Sequence, residues 1–553
     1  MGYRAPIGDM RFALEACAGL WSLKSRFNDI DPDLLEAILD GAGSLASETL
    51  APINRSGDHA GVTLKDGVVT TAPGFKQAYV AFRDAGWQGL AADPTYGGQG
   101  LPRAVALAVF ETIHSANMSF GLLPMLTLGA IEAIEQHGAP DQKALYLEKL
   151  ISGEWTGTMN LTEPQAGSDL GALTTKAVPQ ADGSYAITGQ KIFITWGEHD
   201  ITENIIHLVL ARIEGAPMGS KGISMFIVPK FKDEDGARNA VRCIGIEEKM
   251  GIHASPTCTL AYEGATGWLI GEENKGLAAM FTMMNAARIN VGLEGVAVAE
   301  AAYQKAFAYA QERKQGGAFI IQHPDVRRML TTMRAKIQAG RAICYATTVA
   351  ADGGDKARED LLTPIAKAWC TDLGVEAASL GVQVHGGMGF VEEGGAAQFY
   401  RDARIAPIYE GTNGIQAIDL YGRKLLSDRG EAMHALIADA REAGGALKKT
   451  RGARLVIAAD ALEEATKYML SASRDDALAG ASDYLMFAGD VAGGLYLARG
   501  LASAPGQAAM TKEIIVDQTA LFAYYAEAVL ARAPARLPAI QIGLAALAVE
   551  GQA

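Results

Sequence analysis

The chain has 553 residues, of which 49% are hydrophobic and 20% are charged, and its formal net charge at pH 7 is -14. Because domains usually contain about 100 to 200 residues, a chain of this length is expected to form three or four of them. The composition excludes a fibrous or disordered protein, and the acidic balance disfavours nucleic acid as a partner, since phosphates require clustered Lys and Arg.

The cysteines and the first residues indicate the cellular environment. The cysteines are scattered, without the CxxC spacing typical of metal sites, so we expect no metal site and reduced thiols, as in the cytoplasm. The first residues, MGYRAPIGDMRF, carry charges and a proline and predict no signal peptide. No uninterrupted apolar run of about 18 residues predicts a membrane span.

The pattern of apolar residues divides the chain into four predicted regions. Helical spacing comes first, β-branched runs between turn signals follow, and helical spacing then returns. The stretch from Leu277 to Arg313 has no proline and predicts one long buried helix. The predicted regions are an N-terminal α-helical domain (1–155), a middle β domain (156–276), an α-helical bundle (277–429) and an additional C-terminal helical domain (430–553).

This order of regions disfavours a Rossmann fold, which would alternate strands and helices along the chain. The glycines of VHGGMGF resemble a dinucleotide fingerprint only superficially, because they do not follow a strand and open a helix in a βαβ unit. The predicted fold class is therefore mainly α with a β domain in the middle.

The first candidate site is the segment MNLTEPQAGSDLGA at the entry to the β region. The hydroxyls of Thr162 and Ser168, the flexible backbone at Gly167, and the carboxylates Glu163 and Asp169 could line a flat polar ligand. A capped turn that joins a helix to a strand is an equally good interpretation of the segment alone.

The second candidate site is the segment GQKIFITWG. Phe193 and Trp196 offer aromatic surface beside the hydroxyl of Thr195, and a flat cofactor ring needs apolar walls with a few hydrogen-bonding groups. Taken alone, the segment is better interpreted as an ordinary strand with aromatic residues in the core.

The third candidate site is the segment RDARIAPIYEGTNGIQ, in which Glu410 precedes the flexible Gly411. A carboxylate in an apolar neighbourhood is a candidate general base, because burial raises its pKa. Taken alone, Glu410 is better interpreted as an ordinary glutamate at a helix N-terminus.

Together these segments resemble the acyl-CoA dehydrogenase family. LTEPQAGSDLGA resembles its first signature, GQKIFIT its G-x-K-x-x-I-T strand, and QVHGGMGF with RDARIAPIYEGTNGIQ its closing signature, over roughly residues 40–425. The resemblance implies an α domain, a central β-barrel and an α bundle. It also implies FAD-dependent conversion of an acyl-CoA thioester to the trans-2-enoyl-CoA, with electrons passed to an electron-transferring flavoprotein.

The resemblance implies that Glu410 is the base, which removes the α proton while the β hydrogen leaves as hydride to flavin N5. The amide N–H of Glu410 is then one donor to the thioester oxygen. Some branches carry the base on the long helix, near Ala287 here, where this chain has no carboxylate. The implied substrate contacts are Ser168, Asn285, Arg288, Tyr409 and Gly411, with Arg288 meeting a CoA phosphate or adenine unless it forms a surface ion pair.

The resemblance also implies two groups of FAD contacts. One group surrounds the flavin, and the family usually has tryptophan where Phe193 stands. The other holds the pyrophosphate and adenosine of the FAD in a neighbouring subunit. The flavin group is Met159, Leu161, Thr162, Gly167, Ser168, Phe193, Thr195, Thr412 and Asn413, and the second group is Arg313, Gln383 and Gly387.

The positions of Arg288 and Arg313 imply an oligomer. They are 25 residues apart in the sequence, or roughly 37 Å along one helix at about 1.5 Å per residue. They cannot clasp one phosphate group, so a homodimer or homotetramer in which FAD bridges two subunits is expected.

Within the family, the extended N-terminus and the extra C-terminal helices resemble the branch containing 3-(methylthio)propanoyl-CoA dehydrogenase, from dimethylsulfoniopropionate breakdown. The same architecture also serves other acyl chains, so the substrate stays open.

Two alternative functions are compatible with the same fold: an acyl-CoA oxidase that uses oxygen, and a DNA-associated flavoprotein of the alkylation response. The acidic charge and the intact Glu410 motif count against the second alternative.

Overall fold

The computed structural model describes residues 2–232, 236–447, 449–507 and 509–547. A helical region, a β region and two further helical regions follow one another along the chain. The predicted fold class, mainly α with a central β-barrel and an extra C-terminal helical part, is confirmed. Residues 448, 508 and 548–553 of the predicted C-terminal domain lie outside the described residues, as do residues 233–235 of the β domain.

The N-terminal region is built from helices whose ends carry the expected capping residues. Asp31 accepts a hydrogen bond from the Leu34 N–H at the start of one helix, and Gly153, at φ 79°, ends the last one. A short hairpin interrupts the helices and was not predicted. The elements are α1 (Ile7–Arg11), α2 (Pro32–Leu45), α3 (Ala51–Ala60), β1 (Thr63–Lys65), β2 (Val68–Thr70), α4 (Phe75–Asp84), α5 (Arg103–Ala116), α6 (Met118–His137) and α7 (Pro140–Ser152).

The middle region forms a closed barrel. Its strands are β3 (Trp155–Asn160), β4 (Lys176–Pro179), β5 (Tyr185–Thr195), β6 (Asn204–Ile213), β7 (Ser224–Pro229), β8 (Phe231–Lys232), β9 (Ala237–Arg238), β10 (Val241–Ile246) and β11 (Thr257–Ile270). Strand β11 pairs with β5, β5 with β4, β4 with β6, β6 with β7, and β7 again with β11. Strands β3 and β10 extend this ring, β3 by parallel pairing with β6. Closure leaves few unpaired strand edges.

The helical bundle is centred on α8, the long helix predicted from the absence of proline. Its glycines allow α10 to pack very closely, because a Cβ at Gly295 would lie only 2.1 Å from the carbonyl oxygen of Cys370. Functional side chains of α8 and α10 are thereby brought together. The elements are α8 (Gly276–Glu312), β12 (Lys314–Gln315), β13 (Ala318–Phe319), α9 (Pro324–Gly353), α10 (Lys356–His385), α11 (Gly387–Phe390), α12 (Ala396–Ala403) and α13 (Asn413–Asp419).

The C-terminal region packs against both the bundle and the N-terminal segment. Its central helix contacts Trp369 of α10 through Gly489, and the indole N–H of Trp369 donates to Asp490 over 3.0 Å. Gly500 of the same helix lies against Phe12 near the N-terminus. The helices are α14 (Glu431–Ala446), α15 (Lys449–Ser471), α16 (Arg474–Ser503), α17 (Lys512–Tyr525) and α18 (Leu537–Ile540).

Two stretches among the described residues are long and apolar enough to cross a membrane, judged by length and composition only. They are Met118–His137 and Lys512–Ile540, and 83% and 33% of their most apolar windows are buried inside the protein. The first is α6, whose burial is that of a core helix. The prediction of no membrane span rested on uninterrupted apolar runs and stays a prediction.

Replacing Gly295 by alanine tests the close packing of α8 on α10. The added methyl group must push the two backbones apart, so we expect a loss of about 1 to 3 kcal/mol in the free energy of unfolding. Thermal unfolding with flavin absorbance as a second probe measures this. Gly445→Ala is the control, because a Cβ there meets nothing within 4 Å; it should be neutral or slightly stabilising. Equal effects at both positions would contradict the packing argument.

Candidate active site

Glu410 lies in a turn that is held in an unusual backbone conformation. Its φ is 53°, and that of Gly411 is 82°. A non-glycine residue rarely adopts such a value unless its surroundings enforce it. The amide of Gln416 donates to the carbonyl oxygens of Glu410 and Gly411 over 3.3 and 3.1 Å, and the Thr412 hydroxyl caps α13 by accepting from the Ile415 N–H. These contacts fix the direction of the Glu410 side chain.

The carboxyl group of Glu410 is buried within reach of the charges of two cationic side chains, and its net pKa is raised. Burial raises the pKa of Glu410, whereas the positive charges of Arg288 and Lys367 lower it. No acceptor for the Glu410 amide N–H lies within hydrogen-bond distance among the described residues. A carboxylate and a free backbone donor are thus contributed by one residue, which fits both predicted roles of Glu410.

Arg288 is placed differently from the two alternatives considered from the sequence. Only 4% of it is exposed, and its guanidinium forms a 3.2 Å ion pair with Asp419. A Cβ at Gly411 would lie 3.7 Å from the same guanidinium, which places Arg288 beside the turn of the base. Arg288 therefore forms a buried ion pair rather than a surface one, and its charge lowers the pKa of Glu410. Its predicted contact with the CoA portion stays a prediction.

Lys367 is a buried residue of the site that sequence reasoning missed. Its ammonium donates to the side-chain oxygen of Asn413 over 3.0 Å. Burial lowers the pKa of Lys367 to about 8, against the opposing effect of Glu410, Glu294 and Asp372. Asn413 also donates to Asp372 over 2.8 Å. The predicted contact of Asn413 with the flavin stays a prediction. A lone lysine in the apolar run TPIAKAWC was the available signal.

Glu294 is a second missed residue. It lies on α8, is fully buried, and accepts a hydrogen bond from the hydroxyl of Tyr409, the residue before the base. Tyr409, predicted as a substrate contact, is thereby held by the protein. A single carboxylate within the apolar stretch INVGLEGVAVA was the signal that could have revealed it.

The first signature segment is anchored by a buried ion pair. Glu163 pairs with Lys191 of β5 over 2.8 Å, with 1% and 0% of the side chains exposed. Burial acts to raise the pKa of Glu163, but the charge of Lys191 and several hydrogen bonds, including those from Thr174 and Thr175, lower it to about 2. The prediction that Glu163 lines a ligand is corrected, since it turns inward and holds its own segment against β5.

The residues around this anchor differ in exposure. The Lys191 ammonium donates to the carbonyl of Leu161, and the Ile192 N–H donates to that of Thr162. These bonds join the segment to β5. Gly167 and Ser168 are exposed, Leu161 and Thr162 are half-buried, and Met159 is buried on β3. Asp169 accepts from the Gly171 N–H and therefore forms a local turn.

Phe193 and Trp196, which the sequence allowed as one aromatic surface but favoured as core residues, differ in burial. A register shift between β5 and β11 interrupts the ladder beside Phe193, whose φ is 59° and whose side chain is 58% exposed. Trp196 is fully buried and donates to the carbonyl of Ser119. Trp196 is therefore a core residue, and Phe193 with the half-buried Thr195 is left as the candidate flavin wall.

The remaining predicted contacts lie elsewhere. Asn285 is half-buried on α8. Arg313, Gln383 and Gly387 are exposed near the end of α8 and the junction of α10 and α11. Because α8 is one continuous helix that ends just before Arg313, Arg313 is far from Arg288 along the helix, as predicted.

Family models match almost the whole chain. Residues 34–154 match the acyl-CoA dehydrogenase N-terminal domain, 158–265 its middle domain, 274–425 its C-terminal domain, and 430–549 an acetyl-CoA dehydrogenase C-terminal-like domain. The chain belongs to the acyl-CoA dehydrogenase family. It is an oxidoreductase, and the cofactor of this family is FAD.

Individual relatives agree with this assignment. The chain is 46% identical to 3-methylmercaptopropionyl-CoA dehydrogenase of Ruegeria pomeroyi, over 93% of this chain and 92% of the relative. A chain from a structure described as the electron-transferring flavoprotein of Acidaminococcus fermentans is 28% identical, with a TM-score of 0.63, covering 71% of this chain and 97% of that one. An acyl-CoA dehydrogenase of Bacillus anthracis complexed with FAD, at 23% identity, has the same fold: TM-score 0.73, coverage 93% and 88%.

The surface beside β5 fits the FAD of this family. Phe193 offers an exposed apolar face, and the neighbouring segment offers the Ser168 hydroxyl and the open backbone of Gly167, where a Cβ would meet nothing within 4 Å. FAD bound there would supply the acceptor for hydride. The chain's own part is to order this segment through Glu163 and Lys191.

Replacing Glu163 by glutamine tests the anchor of the flavin segment. Breaking one partner of a buried pair leaves Lys191 uncompensated at a cost on the order of 3 kcal/mol, so we expect FAD affinity to fall roughly tenfold or more. Equilibrium dialysis of the deflavinated protein measures this. Glu263→Gln, which breaks an exposed pair with Arg242, should retain normal affinity; equal losses would argue against a specific anchor.

Replacing Lys367 by methionine tests the electrostatic control of Glu410. The charge of Lys367 lowers the pKa of Glu410, so its removal raises that pKa and moves the acid limb of activity to higher pH. Below this limb Glu410 is protonated and cannot accept the proton. At neutral pH we expect the rate of flavin reduction to fall on the order of tenfold. The pH profile of flavin reduction measures the limb. Lys356→Met, at the exposed start of α10, should leave it in place.

Proposed function

We propose that the chain converts 3-(methylthio)propanoyl-CoA or a similarly short acyl-CoA to the trans-2-enoyl-CoA, with Glu410 as the base and electrons passed to an electron-transferring flavoprotein. The observation that carries the proposal is the placement of Glu410, in a strained turn within reach of the charges of Arg288 and Lys367, with no partner for its own amide N–H among the described residues.

The chemistry of the base follows from these surroundings. A thioester makes its α hydrogens acidic, and removal of one places negative charge on the carbonyl oxygen, which a fixed N–H donor stabilises. Glu410 supplies that donor and the carboxylate. The net effect is a raised pKa: burial raises it and makes Glu410 a stronger base than an exposed glutamate, while Arg288 and Lys367 limit the rise. Proton transfer then needs no group beyond Glu410.

The substrate class is proposed from similarity over the full architecture. The Ruegeria pomeroyi relative shares 46% identity and the additional C-terminal domain falls within the matched region. Residues that line the acyl pocket are not distinguished by this similarity, so a panel of thioesters is needed to choose among short chains.

Three further features belong to the proposal. The electron acceptor is proposed as an electron-transferring flavoprotein, and an acyl-CoA oxidase would instead release hydrogen peroxide. A homodimer or homotetramer is supported by the distance between Arg288 and Arg313 along α8 and by Phe390, which is 85% exposed close to Gly387. A cytoplasmic location is supported by the five cysteines, all buried and free.

Anaerobic mixing of the FAD-loaded protein with a panel of acyl-CoAs tests the proposed reaction. We expect 3-(methylthio)propanoyl-CoA to bleach the flavin rapidly and Glu410→Gln to slow bleaching by about 10²- to 10⁴-fold, because the amide cannot accept the proton. Rapid-mixing absorbance measures the rate. A ligand-induced shift of the flavin spectrum in the variant shows that binding survives.

Glu272→Gln is the matched control, since it removes an exposed carboxylate just before α8. It should bleach at the normal rate. Rapid bleaching by Glu410→Gln would refute the assignment of the base, and an oxidised wild-type flavin with every short thioester would refute the substrate class. Steady-state peroxide release matching substrate consumption would favour the oxidase.

A further inference from the structure

The base site contains a second carboxyl group that the reaction outlined above does not use. Glu294 lies in the interior of α8 and is 0% exposed. One of its oxygens accepts the hydrogen bond from Tyr409, and the other, Oε1, has no hydrogen-bond partner among the described residues. An unpaired polar atom in a protein interior costs free energy, so its retention calls for a reason.

Ionisable groups face Glu294 from each element that packs around it. Tyr409 and Glu410 approach from the turn of the base, and Lys367 approaches from α10. Arg288 lies nearer the N-terminus of the same helix and interacts with Glu410. Glu294 is thus the second acidic group in a cluster that has two cations, and its charge acts directly on the group that removes the proton.

The protonation of Glu294 changes near the working range of pH. Burial raises the pKa of Glu294 to about 8; the Tyr409 hydrogen bond lowers it, the charge of Glu410 raises it, and Lys367 lowers it. The neutral acid therefore predominates at pH 7. Above about pH 8 it becomes a carboxylate in a poorly screened environment.

We propose that Glu294 is a positioning residue for the base: it holds Tyr409, and with it the turn of Glu410, and it strengthens Glu410 as a base when it ionises. This inference rests on the proposed role of Glu410. A purely structural anchor for Tyr409 would need only a hydrogen-bond acceptor, which glutamine also provides. The carboxyl group adds a charge that changes with pH.

The direction of the effect follows from Coulomb's law. A negative charge on Glu294 disfavours a second negative charge on Glu410, so it increases the affinity of Glu410 for the proton that it removes from the substrate. The rate of flavin reduction should therefore rise twice with pH. The first rise reports ionisation of Glu410, and the second, near pH 8, reports ionisation of Glu294.

The pH dependence of anaerobic flavin reduction, from about pH 6 to about pH 10, tests this inference in wild type and Glu294→Gln. We expect the rate of flavin reduction in wild type to increase roughly three- to tenfold in the second rise. Glu294→Gln should lose only that second rise. Tyr409→Phe removes a hydrogen bond that lowers the pKa of Glu294, so its second rise should move to higher pH. Glu442→Gln, an exposed change on α14, should match wild type.

Superimposable profiles of wild type and Glu294→Gln would overturn the inference, as would a uniform loss of rate at every pH, which indicates a structural role alone.

Infrared difference spectroscopy gives a separate readout, because a protonated carboxyl group has its own C=O stretch. We expect one such band to disappear on raising the pH in Glu410→Gln, at a pH below about 8 because the charge of Glu410 no longer raises the pKa of Glu294, and to be missing when Glu294→Gln is added. Its presence in both proteins would overturn the inference. This readout is independent of whether Glu410 is the base.

Discussion

A buried carboxyl group can act as a base near neutral pH only if nearby positive charge offsets its loss of hydration, and this constraint organises the centre of the molecule. Glu410 meets it through Arg288 of α8 and Lys367 of α10. These residues approach one turn from different helices, so their spacing depends on how closely α8 and α10 pack. Gly295, at the crossing, permits that approach. A structural glycine and the carboxylate proposed as the base are in this way coupled through helix packing.

The same logic applies to the proposed flavin surface. The outward-facing residues of the first signature depend on an inward-facing ion pair, Glu163 with Lys191, and on the register shift that exposes Phe193. In a closed barrel a strand cannot easily shift as a whole, so a local irregularity is the available way to turn one side chain outward. The barrel is thus rigid, and the local register shift in it exposes the surface on which a ligand can bind.

Sequence reasoning located the segments of the site better than the roles of individual residues. The helical, β and helical order followed from periodicity, and the long helix ending at Glu312 followed from the absence of proline. Local patterns could not tell which polar residues turn inward. Glu163 could equally be interpreted as lining a ligand or as part of a capped turn, and it belongs to the core; for Trp196, the core position that its segment alone favoured is confirmed. Glu294 and Lys367 were missed because their partners are remote in sequence and meet them only through helix packing.

The central claim is that the Glu410 carboxylate contacts the α carbon of the bound thioester while the Glu410 amide N–H donates to the thioester oxygen. A crystal structure with FAD and a slowly reacting acyl-CoA analogue tests it most directly. The account predicts a Glu410 oxygen about 3 to 3.5 Å from the α carbon, and the Glu410 N–H as a donor to the thioester oxygen at about 2.9 Å. An α carbon facing another carboxylate, or a thioester oxygen bound only by other donors, would contradict it.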